Sequence, residues 1–173
     1  MTAIKNARYD ERAYEYQLIR DCLDGERAIK AQGRLYTAKP AGQSVEEYSN
    51  YLARGTFYGA PEMTLRALAG LALRKDPVIK LPLRLESYRM NATHDSAPLS
   101  ILIEDAIREI LSVGRFGILL DYAPGGNTVT TPPNLVTWKA EEILDWETSW
   151  INGRKELVRV GLASNERWED SDV

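Results

Sequence analysis

The sequence predicts an α+β fold, with N-terminal helices packed on C-terminal antiparallel hairpins. Three observations carry this reading. Residues 96–113 repeat apolar side chains at a helical period. From Gly114 onward the pattern changes to short apolar runs broken by turn residues. Asn152-Gly153 then sits between two of those runs, and this dipeptide tolerates the positive φ angles of a two-residue hairpin turn. Helices first and antiparallel strands after is the order of an α+β domain.

The elements follow in order. Asp10 to Leu23 reads as a helix with Tyr14, Leu18, Ile19 and Cys22 on its apolar face and Gly25 as its stop. Residues 25–43 read as a loop. Ser44 and Glu47 have capping-box spacing, and a helix carrying Tyr48, Tyr51 and Leu52 follows. That helix is interrupted over residues 55–61 and resumes at Glu62, with Pro61 in its first turn and Leu65, Leu68, Ala69 and Ala72 at helical spacing. Pro77 and Pro82 bias residues 76–82 to an extended crossing. Residues 83–95 fit no single period.

Ser96 to Val113 carries Leu99, Leu102, Ile103, Ala106, Ile107, Ile110 and Leu111 on one face. Ser96 or Asp95 is its expected cap, Glu104 and Arg108 pair at i, i+4, and Gly114 falls where a left-handed C-cap prefers glycine. Phe116 to Tyr122 reads as a strand, Ala123 to Asn127 as a turn, and Thr128 to Thr131 as a returning strand ended by Pro132-Pro133. Leu135 to Trp138 is a further strand, Ala140 to Leu144 one helical turn, and Asp145–Ile151 with Lys155–Leu162 the Asn-Gly hairpin. Residues 1–173 thus form one domain. Its 1–113 portion is mainly helical, 114–165 mainly strands, and 166–173 an acidic tail.

Charge narrows the function classes. The formal net charge is −3. Residues 1–113 hold 16 Lys/Arg against 15 Asp/Glu, and residues 114–173 hold 6 against 10, so the acidity belongs to the second half. No basic stripe offers a surface for gripping DNA. The single cysteine, Cys22, excludes an internal disulfide and a Cys-rich zinc site and reads as a small core residue. No apolar run approaches the roughly 20 residues that cross a membrane, so no membrane partner is expected. No signal peptide is expected either, and synthesis is expected in the cytoplasm.

Gly114-Arg115-Phe116-Gly117 invites a phosphate-loop reading. Dinucleotide sites, however, run strand, glycine turn, helix, so that a helix N-terminus faces the phosphate. Here a helix precedes the glycines, and its negative end repels phosphate. Gly114 therefore stops a helix, Gly117 sits in a strand where a side chain does not fit, and Arg115 is expected to anchor to a neighbouring carboxylate. The only histidine, His94, reads as an exposed loop residue near a helix cap rather than as a member of a triad. Glu141, Glu142 and Asp145 are a possible carboxylate cluster for acid–base work or Mg²⁺, set against the solvated side of a helical turn. Of these the solvated side is the expectation, so no catalytic, cofactor-binding or metal residue and no cofactor is assigned. Tyr48, Tyr51, Phe57 and Tyr58 read as core or subunit-contact residues. The four tryptophans, Trp138, Trp146, Trp150 and Trp168, all lie in the second half; Trp146 and Trp150 share one strand face, and some of the four are expected at an interface.

An ordered set of motifs resembles the N-terminal half of a portal protein family of tailed phages, formerly labelled as of unknown function. The set begins with Tyr48-Ser49-Asn50-Tyr51-Leu52-Ala53-Arg54-Gly55-Thr56-Phe57-Tyr58, then Leu65 to Gly70 and Leu73-Arg74-Lys75-Asp76-Pro77. It continues with the amphipathic helix and Gly114-Arg115-Phe116-Gly117-Ile118-Leu119-Leu120-Asp121. Trp138-Lys139-Ala140-Glu141-Glu142-Ile143-Leu144-Asp145-Trp146 and the Asn152-Gly153 hairpin through Val160 complete it. The resemblance implies a wing-like part of a structural subunit, without catalytic residues, in a homo-oligomeric ring of about twelve copies at a capsid vertex. It implies capsid, terminase and head–tail adaptor partners, and double-stranded DNA that passes through without sequence-specific binding. It places the protein in the virion, and in the host cytoplasm during assembly. Stem, clip and crown are absent from the match, and the stem helices and clip are expected beyond Val173. Two other readings stay open: a small nucleotide- or metal-dependent enzyme domain, and a phage protein-binding adaptor.

Overall fold

Asn6 opens the first helix, α1 (Ala7–Asp24), by accepting the Arg8 amide on its side chain at 3.0 Å. The computed structural model describes residues 5–93, 95–121 and 133–163. Gly25, at φ 86°, ends α1 and lets the chain turn straight into α2 (Glu26–Ala31). A short 3₁₀ turn, Gly33–Leu35, follows. The expected loop over 25–43 is thus partly helical. The Glu26–Lys30 pair at i, i+4, 2.6 Å apart, supports a turn of helix that has no apolar stripe of its own.

The capping box forms as read. Ser44 Oγ accepts the Glu47 amide at 3.1 Å, and Glu47 accepts the Ser44 amide at 2.7 Å, opening α3 (Val45–Arg54). α4 (Ala60–Ala72) starts with Pro61 in its first turn. Residues 76–82 are without helix or strand, as the prolines require, and Leu83–Arg89 forms a 3₁₀ turn. α5 (Leu99–Val113) ends at Gly114, which is left-handed at φ 75° and donates to the Ile110 carbonyl. Its start differs from expectation. Pro98 is the cap position and neither Asp95 nor Ser96 caps the helix. Ser96 stands at φ 60° in a turn, where its amide donates to the Thr93 carbonyl. Thr93 Oγ1 accepts the Ala97 amide, so the polar contact serves this turn and not the helix.

β1 (Phe116–Asp121) pairs antiparallel with β2 (Asn134–Lys139), from Phe116 opposite Lys139 to Asp121 opposite Asn134. The returning partner of β1 is therefore the later strand candidate. Residues 122–132, which hold the expected turn and the expected 128–131 strand, lie outside the described residues. A 3₁₀ turn, Ala140–Glu142, leads into β3 (Ile143–Ile151), which pairs antiparallel with β4 (Arg154–Leu162). Asn152 and Gly153 have φ 50° and 75°, the positive pair expected of the hairpin turn.

Gly117 sits where a Cβ would stand 3.2 Å from both Ile143 Cδ1 and Trp138 Cβ, which is why that strand position holds glycine. The core lies where α1, α5 and the Ala140 turn meet, around Tyr16, Val113 and Ala140 with Ile19 against them. On α1 the buried positions are Tyr16 and Asp21, which flank the expected stripe on opposite sides. Tyr14, Leu18 and Cys22 instead line an open hollow of about 540 Å³ with Ile29, Tyr51 and Phe57. Among the described residues no large side chain is completely buried, while many apolar ones are exposed.

Candidate functional site

Arg20, in the last third of α1, reaches two other parts of the chain with one guanidinium. It donates to both oxygens of Glu109 on α5, at 3.0 and 2.6 Å, and to both oxygens of Glu141 in the turn before β3, at 2.7 and 3.0 Å. Two forked, charge-assisted contacts on one cation fix the angle between α1, α5 and the hairpin base. The hydrogen bonds with Glu141 and Glu109 raise the Arg20 pKa beyond its already high value despite burial. Burial alone would raise the Glu141 pKa, but the Arg20 hydrogen bonds and charge outweigh it and hold this carboxyl below its ordinary value. An ionised, arginine-held carboxylate has no proton to donate near neutral pH, so Glu141 is built as a tie and not as a general acid.

Tyr9 adds a second tie: its hydroxyl donates to the Glu141 carbonyl at 2.8 Å, and burial followed by the Glu141 charge raises its pKa. A third polar centre lies at the far end of α1. Buried Asp21 accepts from Gln17 at 2.9 Å, Gln32 at 3.0 Å and the Tyr36 hydroxyl at 2.6 Å, binding the α2 region to α1. The hydrogen bond to Asp21 pushes the Tyr36 hydroxyl up to about 12.

The three acidic residues singled out in sequence have separate fates. Glu141 is half-buried and paired with Arg20. Glu142 accepts the Lys139 amide at 2.6 Å. Asp145 is buried and meets Arg159 at 3.0 Å. The expectation of one solvated face is corrected, because each carboxylate has a cationic or amide partner. Among the described residues no group of three His, Cys, Asp or Glu side chains is placed to hold a metal. His94 lies outside the described residues.

Arg115 is also corrected. Its guanidinium lies 3.8 Å from the Trp146 ring centre, and its Nη1 is buried without a hydrogen-bond partner among the described residues. Arginine stacks on an indole face because its flat, weakly hydrated cation matches the ring quadrupole. Trp146 and Trp150 share a strand face as read, but Trp146 is half-buried and Trp150 is 73% exposed.

The exposed face of the hairpin has a specific geometry. The pairing runs Trp146–Val160, Thr148–Leu157 and Trp150–Lys155, with a register shift that leaves Val158 unpaired. The shift puts Leu157 and Val160 on the same side as both tryptophans, and Arg159 opposite Glu147 on the other. From Glu147 to Val160 every residue of the hairpin is exposed, so it projects as an arm from the helical body. Tyr48 is buried, with its hydroxyl on the Thr37 carbonyl, and stacks on Tyr51, whereas Tyr58 is open to solvent.

Sequence reasoning missed Asn6, Tyr9, Arg20 and Glu109. A helix-capping asparagine before residue 10 was a legible signal. The reach of Arg20 to Glu141 was not, because nothing local encodes it. Compared with protein-family models and with curated proteins, the chain matches none.

Proposed function

We propose that this chain is the wing-like part of a tailed-phage portal subunit, a structural piece of the ring through which double-stranded DNA enters and leaves a capsid. The observation that carries the proposal from the structure is the hairpin arm, with Trp150, Leu157, Val158 and Val160 open to solvent. A two-stranded ribbon uncovered on both faces is marginal alone, and exposed apolar rows of this kind mark a surface that another chain covers. The ordered motifs supply the family, and a role in assembly accords with carboxylates tied up in structural contacts. The partners in this reading are further copies of the subunit, the capsid, the terminase and the head–tail adaptor. DNA passes without sequence-specific contacts. The site of action is the virion vertex, reached from the host cytoplasm.

Electron microscopy of the complete gene product under assembly conditions tests this. Closed rings of about twelve copies are the expected result. A stable monomer that never closes a ring would overturn it. The exposed Trp150 also favours a second reading, a protein-binding adaptor. Recovery of a non-capsid partner, with no self-association, would select that one.

A further inference from the structure

Asn6 makes three bonds that join two distant elements. Its Oδ1 caps α1 by accepting the Arg8 amide at 3.0 Å. Its Nδ2 donates to the Trp146 carbonyl at 3.1 Å. Its backbone N–H donates to the Leu144 carbonyl at 3.0 Å. The two carbonyls are two residues apart and so leave the strand on one edge. Between them the hairpin register steps from Ile143–Leu162 to Asp145–Gly161, which leaves Leu144 as a bulge. A bulge is where a strand bends.

The restraints divide at this bulge. Below it Ala140 is wholly buried in the core and Glu141 is held by Arg20 and Tyr9. Above it Asp145 is buried and paired with Arg159 of its own hairpin, and the arm is bonded to the body through the Trp146 carbonyl on Asn6 and the Trp146 ring under Arg115.

From this geometry we infer that Leu144 is the hinge of the β3–β4 arm and that Asn6 is its pin, coupling the angle of the arm to the first turn of α1. Fraying of that turn releases the arm, and a force that swings the arm uncaps the helix, since coupling between two sites is reciprocal. The device stands whether or not the chain belongs to a ring.

The test separates capping from pinning. Asn6→Asp keeps an acceptor for the helix cap but loses the donor to Trp146. Asn6→Ala loses both. Nitroxide labels at Ser100→Cys and Ser149→Cys, both exposed positions, report the arm angle in a Cys22→Ser background. In Asn6→Asp the label distances should shift or broaden while the exchange rates of the first-turn amides of α1 stay unchanged. In Asn6→Ala the distances should change and those amides should also exchange about tenfold faster, the equivalent of one lost hydrogen bond. Unchanged distances in Asn6→Asp would overturn the pin, including the case where only Asn6→Ala moves the arm. Asn6→Ser, which can cap but is too short to reach Trp146, gives the same reading if the aspartate variant fails to fold.

Discussion

The Arg115 guanidinium lies 3.8 Å from the centre of the Trp146 ring, so the residue just before β1 is joined to β3, a strand of the other two-stranded sheet, by a cation on an indole. Arg115→Ala should lower stability by about 1–2 kcal/mol. It should also shift the tryptophan emission as Trp146 becomes wet. Arg115→Lys should recover only part, because an ammonium lacks the flat face. Urea melts of the three proteins check this, and equal midpoints would remove the contact from the list of stabilising ones.

Arg20→Met should cost about 2 kcal/mol, between an exposed and a buried ion pair, because Glu109 and Glu141 are left facing each other without a cation. Adding Glu109→Gln and Glu141→Gln should return part of that loss. A triple variant no more stable than Arg20→Met would mean that repulsion is not the cause.

The depressed Glu141 pKa gives an acid dependence of known sign. Its contribution is complete above the ordinary value of 4.5 and is lost as pH falls from there through the lower folded value. Thermal melts of Glu141→Gln should therefore fall less steeply below about pH 4.5 than those of the unsubstituted chain. Parallel curves would show that other groups govern the acid limb.

Gly117→Ala places a methyl 3.2 Å from Ile143 Cδ1 and Trp138 Cβ. The expected cost is about 1 kcal/mol, and Gly117→Val should cost more, since overpacking grows with volume. Denaturant midpoints that rank in the opposite order would refute the crowding explanation.

Ser44→Ala removes one arm of the capping box and should cost about 1 kcal/mol, with the loss confined to α3. Hydrogen exchange that leaves α3 as protected as before would argue against it.

Local signals were legible in the sequence and distant ones were not. Ser44 with Glu47, Gly114, and Asn152 with Gly153 each encode a backbone geometry within four residues, and each stands where it was read. Gly117 was legible as a strand glycine, although the atoms that crowd it, on Trp138 and Ile143, lie more than twenty positions away. The bulges at Leu144 and Val158 were not, because register depends on the partner strand. Arg115 was read by its charge alone. Its real partner is an aromatic face 31 positions away, and the sequence does not rank a carboxylate against an indole at that distance. The face of α1 was legible only in part, with Ile19 on the core as expected, for a related reason. Tyr16 is buried because Val113 and Ala140 arrive from elsewhere, while the more regular stripe of Tyr14, Leu18 and Cys22 borders a hollow.

The bonds from Asn6 and Tyr9 to residues 141–146 also impose an order on folding. The Asp21 cluster closes within 15 residues and the β3–β4 hairpin closes on itself, so both form early and cheaply in loop entropy. The tie from Asn6 to Trp146 spans 140 residues. On the ribosome, α1 therefore has to wait for about 140 further residues before it finds its seat. Slow docking of two quickly formed halves should dominate the refolding kinetics of this protein.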